Sequence, residues 1–317
     1  MLGDMAPVHD PSIMRRADGS YIVYTTDLPF LNSPHFIAQR CSADLVTWAP
    51  CGYVFDTMPA WVTAQFPDAV GIWAPDISFF GGSYHLYYSV STLGSQHSAL
   101  GVATNVTLDP ADPRYKWVDG GEVLASSAGA DFNAIDPNVL VDSGSASTHG
   151  QKHVWLSYGS FWGGIYQQEL DPSTGQLLPG STRYNLATQP ASLNNAIEGA
   201  AMVAHNGWYY LFASIGICCS IPIEQDTYRQ ILGRSRSVHG PFLAQDGKDM
   251  LQGGGTVLLT SDENWLAPGG GSLWQSADGS QTLLTFHALQ RSQNGALDLW
   301  VEQVTWQNDW PVLQPLS

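Results

Sequence analysis

The amino-acid sequence predicts an all-β fold, a five-bladed β-propeller in which each blade is a four-stranded antiparallel meander. Five short stretches of similar composition recur every 60 to 72 residues. A run rich in β-forming residues follows each of them, and no stretch of ten or more residues shows helical periodicity. Such a period is typical of propeller blades. A large β-sandwich would not explain why the same strand order returns five times, so we expect one propeller domain over residues 1–317.

The recurring stretches mark the points at which the chain is expected to enter the innermost strand of each blade. Four of them place a carboxylate beside a small or kinked residue, ahead of a hydrophobic step. These are residues 9–13, 74–77, 135–139 and 197–200, and their acids, Asp10, Asp76, Asp136 and Glu198, lie 66, 60 and 62 residues apart. The fifth stretch, residues 268–273, carries no acid and has Gly270 at the corresponding place. The blades are therefore expected to be unequal in chemistry.

The other strands of each blade are predicted from β-forming runs and turn signals. Asp18-Gly19 and Asn206-Gly207, each at the start of a second strand, are strong hairpin signals. Second strands are predicted at residues 19–26, 82–90, 152–159, 207–214 and 281–288, and third strands at 35–40, 99–104, 164–169, 231–236 and 297–302. A fourth, more polar strand is predicted at 47–50, 116–118 and 240–242. Neither end of the sequence indicates how the ring of blades is closed.

Composition restricts the possible partners and the cellular location. The chain has 12 Lys plus Arg against 28 Asp plus Glu, a net charge of −16, which argues against nucleic-acid or anionic-membrane partners. Twelve Trp and 13 Tyr suit the stacking of sugar rings, although they also fill β cores. No apolar run of 18 residues predicts a membrane span. We expect a secreted monomer whose signal peptide is absent from this sequence.

Cysteines and one sequon suggest covalent modifications. Cys41 and Cys51 are spaced so that a disulfide could close across a hairpin. The adjacent Cys218 and Cys219 form either an unusual vicinal disulfide or two buried thiols. Asn105 begins an Asn-Val-Thr sequon, a weak signal for glycosylation.

The recurring acids are expected to meet at one mouth of the central channel. Residues at the same point of each repeat form a ring around a propeller axis, so Asp10, Asp136 and Glu198 should converge there, and their repulsion should raise at least one pKa. Inverting glycoside hydrolysis needs a protonated acid and an ionised base about 6.5–9.5 Å apart. Glu198 suits the acid and Asp10 the base. Taken singly, each Asp could instead cap a turn, and Asp76 is expected to be structural.

The same blocks resemble a known family. Residues 9–13, 73–77, 133–137 and 197–199 are similar to the signature blocks of glycoside hydrolase family 43. Residues 158–164, Cys218-Cys219 and the glycine run at 253–255 resemble its endo-1,5-α-L-arabinanase branch. The resemblance implies a five-bladed propeller that cleaves internal α-1,5-L-arabinofuranosidic bonds of arabinan with inversion. It implies that Asp10 is the general base, Glu198 the general acid, and Asp136 the residue that tunes and orients the acid.

The resemblance also implies roles in binding. Trp73, Phe161 and Trp162 would form walls for arabinose rings, although packing between blades is the alternative for the tryptophans. Nearby polar contacts would come from Asn133, Ser157 and Ser160. His287, in the second strand of blade five, would face a hydrated ion, often calcium, with water supplying most ligands; a hydrogen-bonded core histidine is the alternative. No organic cofactor is expected.

Two other functions remain open from the sequence. A member of the same family could act as an exo-acting α-L-arabinofuranosidase or β-xylosidase. A non-catalytic carbohydrate-binding propeller is the second alternative, but the unequal repeats indicate one asymmetric site. The glycine-rich residues 267–271 suggest a flexible or open rim at blade five, and the run at 253–255 suggests a tight approach to the cleft.

Overall fold

Five antiparallel sheets form the structure and confirm the predicted five-bladed propeller. The coordinates are a computed structural model, which describes residues 1–28, 31, 33–142, 152–218, 220, 223–293 and 295–316. The innermost strands of successive blades contact one another in a closed cycle, and the last innermost strand contacts the first. The start of each innermost strand is therefore brought to the same end of the central axis.

Each blade takes consecutive strands from the chain. Blade one contains β1 (Leu2–Gly3), β2 (Ser12–Arg15), β3 (Tyr21–Tyr24), β4 (Phe36–Ser42) and β5 (Thr47–Phe55). Blade two contains β6 (Trp73–Phe80), β7 (Ser83–Val90), β8 (Ser98–Asn105) and β9 (Val118–Ser126). Blade three contains β10 (Asn138–Asp142), β11 (His153–Tyr158), β12 (Ile165–Leu170) and β13 (Tyr184–Ala187). Blade four contains β14 (Ile197–His205), β15 (Trp208–Ile215), β16 (Arg229–Ser235) and β17 (Thr256–Leu259), and blade five contains β18 (Trp265–Gln275), β19 (Thr282–Gln290), β20 (Ala296–Gln307) and β21 (Trp310–Pro315).

Helical structure in the described residues is limited to short segments. The α-helix α1 covers Ala60–Gln65, and 3₁₀ turns cover Ala191–Leu193, Ile223–Gln225, Met250–Gln252 and Arg291–Gln293. None of the described helices is both long and apolar enough to span a bilayer.

The core lies between neighbouring blades, because both faces of most inner strands are covered. β15 and β19 are buried along most of their length, and their sequences are nearly continuous runs of apolar and aromatic residues. The outer strand β5 is largely exposed. One cluster packs Leu140 and Trp155 of blade three against Met202 and Tyr209 of blade four. Packing between blades thus holds the innermost strands in place around the axis.

Among the named strands of the described residues, none is exchanged between the first and last blades. Residues before β2 pair with β20 of blade five: Val8 N–H donates to Leu297 O and Leu299 N–H donates to Met5 O, both at 2.9 Å. The hydroxyl of Thr285 in β19 also donates to Pro11 O at 2.9 Å. These bonds lie next to the stretch that contains Asp10, so ring closure also fixes that stretch.

Two sequence-based expectations about blade four are wrong. The predicted fourth strand at residues 240–242 is a connection, since Pro241 has no N–H to donate and the fourth strand is β17 instead. The glycine run at 253–255 does not approach the cleft. A Cβ on Gly253 would contact Pro190, and one on Gly255 would lie 2.4 Å from Ile231 Cδ1, so the run packs on the outer part of the blade.

The predicted hairpin disulfide is confirmed. Cys41 and Cys51 are bonded, with their Cα atoms 5.8 Å apart, and join β4 to β5. The Cys218–Cys219 pairing involves Cys219, which lies outside the described residues. Asn105 is only 2% exposed, and its Oδ1 accepts the N–H groups of Thr107 and Lys116 at 3.3 and 3.2 Å. Because its Nδ2 is also buried, an N-glycan does not fit the folded chain at this position.

Candidate active site

A turn with left-handed backbone lies just before each innermost strand or, as at Gly270 in β18, within it. At this turn one residue of each blade has a φ between 40° and 59°: these are Asp10, Ala74, Asp136, Gly199 and Gly270. Proline follows in blades one, two and three, at Pro11, Pro75 and Pro137. This turn, rather than the position of the acid, sets the register of one blade against the next.

The acids occupy three levels along the axis instead of one. Asp10 and Asp136 are themselves turn residues, Glu198 is one residue before the turn, and Asp76 is two residues after it. The expectation that Asp76 is in phase with the other acids is therefore wrong by two residues. Asp76 aligns with Ser12, Asn138 and Ser272, one level deeper in the channel.

Asp10 is held as an ionised carboxylate by blades one and five. The Thr26 hydroxyl donates to Asp10 Oδ2, and His9 Nδ1 lies at the same distance, 2.7 Å, from that oxygen. Burial would raise the pKa of Asp10, but the charge of His9, its hydrogen bond and the Thr26 hydroxyl outweigh burial and lower the pKa to about 2. Burial likewise opposes protonation of His9, yet the Asp10 carboxylate raises the net pKa of His9. The two residues form an ion pair.

His287 of blade five supports Asp10 as a neutral imidazole. Its Nδ1 accepts the N–H of Asp10 at 3.2 Å, and its ring stacks on His9 at 3.8 Å. Burial, followed by the charge of His9, lowers the pKa of His287 to about 3. The acceptor role of Nδ1 places the proton of the neutral ring on Nε2.

Asp136 and Glu198 form the second half of the site. Asp136 Oδ2 accepts the N–H of Gly199 at 3.0 Å, while the Ser160 hydroxyl donates to Glu198 Oε2 at 2.6 Å. Burial and then the charges of Glu198 and Asp10 raise the pKa of Asp136 well above its ordinary value. Burial, partly offset by the Ser160 hydrogen bond, also raises the pKa of Glu198. Because their repulsion is mutual, this pair titrates as a unit that retains a proton while Asp10 is ionised.

Asp76 joins four blades beneath the site. It is buried and accepts from Val139 N–H at 2.8 Å, Asn138 Nδ2 at 3.0 Å, and the hydroxyls of Ser272 and Ser12 at 3.3 and 3.4 Å. Burial outweighs these hydrogen bonds and raises its pKa to about 7. It lines, with Asp10 and Asp136, an axial cavity of about 30 Å³, which is room for about one water molecule. Its contacts are those of a structural carboxylate.

The predicted binding residues divide into two groups. Trp73 is half-buried at the position in blade two that corresponds to Glu198, since each lies opposite a serine of the second strand. Phe161 N–H donates to Ile197 O at 2.9 Å, and Trp162 is 38% exposed, so both lie on the loop beside Glu198. Ser160 is in contact with Glu198 itself, as described above.

Ser157 and Asn133 are enclosed by protein. Ser157 is 1% exposed and its Oγ lies 3.3 Å from Met202 Sδ, because alternation along β11 turns it toward blade four. Asn133 is 2% exposed, and its Oδ1 has no hydrogen-bond partner in the described part of the chain. Neither side chain is brought into contact with the three carboxylates.

Sequence reasoning missed several residues of the site. His9 and Thr26 bind Asp10, and the buried Tyr228 hydroxyl lies beside Glu198 and Ser214, where it favours the ionised form of Glu198 and so partly offsets the raising of its pKa by burial. His9 lies within a recurring stretch and could have been considered. Thr26 is the last residue of a predicted second strand, as Ser214 is in blade four, so the repeat carries a signal for it, whereas Tyr228 belongs to no recurring block.

Gly270 is packed tightly, which overturns the expectation of an open, flexible rim at this point. A Cβ here would lie 2.5 Å from Asp10 Oδ1 and 2.5 Å from His287 Cε1, and φ is 57°. Only glycine allows blade five to approach Asp10 this closely. The absence of an acid at Gly270 itself is therefore a steric requirement of the site.

The described residues offer one cluster with metal-ligating atoms. Atoms of His9, Asp10 and His287 lie within 4.8 Å of one another. Calcium takes six to eight oxygen ligands, so two imidazoles and one carboxylate do not fit its direct binding. In addition, Nδ1 of His9 and Nδ1 of His287 are already hydrogen-bonded to Asp10. A calcium ion held through water near His287 stays a prediction.

Comparisons with known proteins agree with the five-bladed fold. The family model described as glycosyl hydrolases family 43 matches residues 6–311. An extracellular endo-α-(1→5)-L-arabinanase of Bacillus subtilis is 33% identical over 305 residues, covering 96% of this chain and 87% of the relative. An extracellular exo-α-(1→5)-L-arabinofuranosidase of Cellvibrio japonicus is 36% identical over 317 residues, covering 96% and 85%.

A solved structure of similar shape has been obtained with a ligand. The α-L-arabinanase of Cellvibrio cellulosa in complex with arabinohexaose matches with a TM-score of 0.86 and 31% identity, covering 98% of this chain and 96% of that one. The comparisons thus agree on fold and include both endo- and exo-acting relatives.

Proposed function

The chain belongs to glycosyl hydrolase family 43, and we propose that it hydrolyses internal α-1,5-L-arabinofuranosidic bonds of arabinan with inversion of configuration. Its place among arabinanases supports this substrate class. An exo-acting α-L-arabinofuranosidase is the alternative, favoured by the Cellvibrio japonicus relative. Both relatives named above are called extracellular, which supports secretion.

The observation that carries the proposal is the unequal electrostatic state of the three carboxylates. Asp10 is paired with His9 and has a lowered pKa, whereas Asp136 and Glu198 are buried together and have raised pKa values. Groups whose environments separate their pKa values in this way are suited to act as a base and an acid at the same pH. A sugar-binding propeller without catalysis would not require this separation.

Each carboxylate has a role in the proposed reaction. Asp10 accepts a proton from the water that attacks the anomeric carbon, while Glu198 donates its proton to the leaving glycosidic oxygen. The charge of Asp136 disfavours ionisation of Glu198 and so keeps the proton on it. Asp136 also accepts the N–H of Gly199, the residue that follows Glu198. Ser160 orients the Glu198 carboxyl through its 2.6 Å hydrogen bond.

Products released from linear arabinan distinguish endo from exo action. An endo enzyme should first release a range of arabino-oligosaccharides and lower the viscosity rapidly, because it cuts anywhere along the chain. The time course is followed by size-resolved chromatography. Release of a single short product from the start would establish the exo alternative, and absence of hydrolysis would defeat the proposed function.

The same reaction followed by proton NMR tests inversion. Attack by water opposite the leaving oxygen should give β-configured reducing ends before mutarotation. An α-configured first product would contradict the scheme of one base, one acid and one water.

Asp136→Asn is expected to move the alkaline limb of the kcat/KM pH profile to lower pH. The negative neighbour that disfavours ionisation of Glu198 is removed, so Glu198 loses its proton at lower pH. Asparagine can still accept the Gly199 N–H through its amide oxygen, which limits the change in geometry. An unmoved alkaline limb would show that Asp136 does not tune the acid.

A further inference from the structure

Hydrogen bonds between blades hold the turn residues that lie around the axis. In four blades the N–H of the turn residue donates to a side chain at the end of the second strand of the preceding blade. The pairs are Ala74 with Thr26 Oγ1 at 2.7 Å, Asp136 with Ser89 Oγ at 2.9 Å, Gly270 with Ser214 Oγ at 3.0 Å, and Asp10 with His287 Nδ1 at 3.2 Å. Each acceptor lies opposite the residue before a turn, so these positions are equivalent.

Blade three departs from this pattern at Gly159. Gly159 N–H donates to Ile135 O at 2.8 Å, which places Gly159 at the equivalent position without a side chain. A Cβ there would lie 2.2 Å from Gly164 O, so the loop that carries Ser160 toward Glu198 excludes any side chain. The N–H of Gly199 consequently donates to Asp136 Oδ2. In blade four, the Asp136 carboxylate thus accepts the turn N–H that a hydroxyl or an imidazole accepts in the other blades.

These bonds form one path from blade two to blade four. Ser89 accepts the Asp136 N–H, and the Asp136 carboxylate accepts the N–H of the residue directly after Glu198. We propose that Ser89 is a positioning residue, which sets the place of Asp136 and, through Asp136, of the peptide that carries Glu198. The proposal rests on the proposed function, since it assigns the two carboxylates to one reaction.

Ser89 acts through the backbone and is fully buried. Its loss should therefore change the alignment of the reacting groups more than the binding of substrate. Misplacement of reacting groups by a fraction of an ångström to an ångström lowers rates by about ten- to a hundred-fold. A change in kcat with little change in KM is the expected signature.

The test compares Ser89→Ala, Ser89→Thr and a matched control. Ser98→Ala removes a buried hydroxyl of the same blade, which lies 2.7 Å from Ser91 Oγ and leads to no carboxylate. Ser89→Ala should lower kcat on linear arabinan about ten-fold or more at nearly unchanged KM. Ser89→Thr should restore most of the rate, because Thr26 serves at the equivalent position of blade one. Ser98→Ala should lower Tm without lowering kcat.

Hydrogen exchange gives a readout that needs no substrate. Peptides containing Asp136 and Gly199 should exchange faster in Ser89→Ala than in wild type or Ser98→Ala. Full kcat or unchanged exchange in Ser89→Ala would overturn the proposal, as would an equal loss of kcat in Ser98→Ala. Failure of Ser89→Ala to fold where Ser98→Ala folds would make Ser89 a folding residue and overturn it too. If the wild-type protein does not hydrolyse arabinan but Ser89→Ala still shows the expected faster exchange, the proposed function is contradicted and the positioning of Asp136 by Ser89 is not.

Discussion

A Glu198→Gln variant is expected to hydrolyse linear arabinan with a kcat about 10²–10⁴-fold lower than wild type. Glutamine keeps the shape of the side chain, and its amide oxygen can still accept the Ser160 hydroxyl. It has no acidic proton for the leaving glycosidic oxygen, so the loss is chemical and not structural. Initial rates on linear arabinan measure the effect, and circular dichroism with Tm checks that the propeller is intact.

The same substitution elsewhere provides the control. Glu122 lies exposed on β9, so Glu122→Gln removes one negative charge without reaching the mouth of the channel. It should retain wild-type kcat and KM. If Glu198→Gln retained more than about a tenth of the activity, the general acid would have to be another group.

The sequence predicted the ring of blades because each blade repeats its strand order with apolar runs that burial between blades requires. It also predicted which acids meet, since the repeat brings them to one end of the axis. The sequence-based alignment of Asp76 with the other three acids was wrong, because the spacing of acids along the chain is a poor measure of the strand register between blades. The ladder is interrupted between Trp73 and Asp76 and between Glu198 and Ala201, and such irregularities shift side chains relative to the turn.

Other parts of the site depend on contacts between segments that are apart in sequence. Thr26 reaches Asp10, and Tyr228 lies beside Glu198, from another segment of the same blade. Ser157 shows the converse, because the family resemblance implied a polar contact in the cleft while strand alternation buries this side chain. Gly270 looked like a flexible rim, although its lack of a side chain is what lets Asp10 and His287 meet.

Asp76→Ala is expected to lower the free energy of unfolding by about 3 kcal/mol at pH 5, because it leaves buried donors without an acceptor. The donors affected include Asn138 Nδ2 and Val139 N–H, which come from a different blade than Asp76. Urea unfolding followed by tryptophan fluorescence measures the change. Asp278→Ala is the control, since Asp278 is an exposed turn residue and should cost far less.

The pH dependence of this difference separates charge from hydrogen bonding. The pKa of Asp76 is about 7 in the folded state and near 3.8 in the unfolded chain, so the folded state binds the proton more tightly. The contribution of Asp76 protonation to the free energy of unfolding is therefore fully present below about pH 4 and is lost as pH rises through about 7. Asp76→Ala has no such loss of stability. The difference in free energy of unfolding between wild type and Asp76→Ala should therefore become smaller from pH 4 to pH 8. A gap that widens over this range would show that the four donors favour the ionised carboxylate, and that Asp76 acts as a charged link between blades.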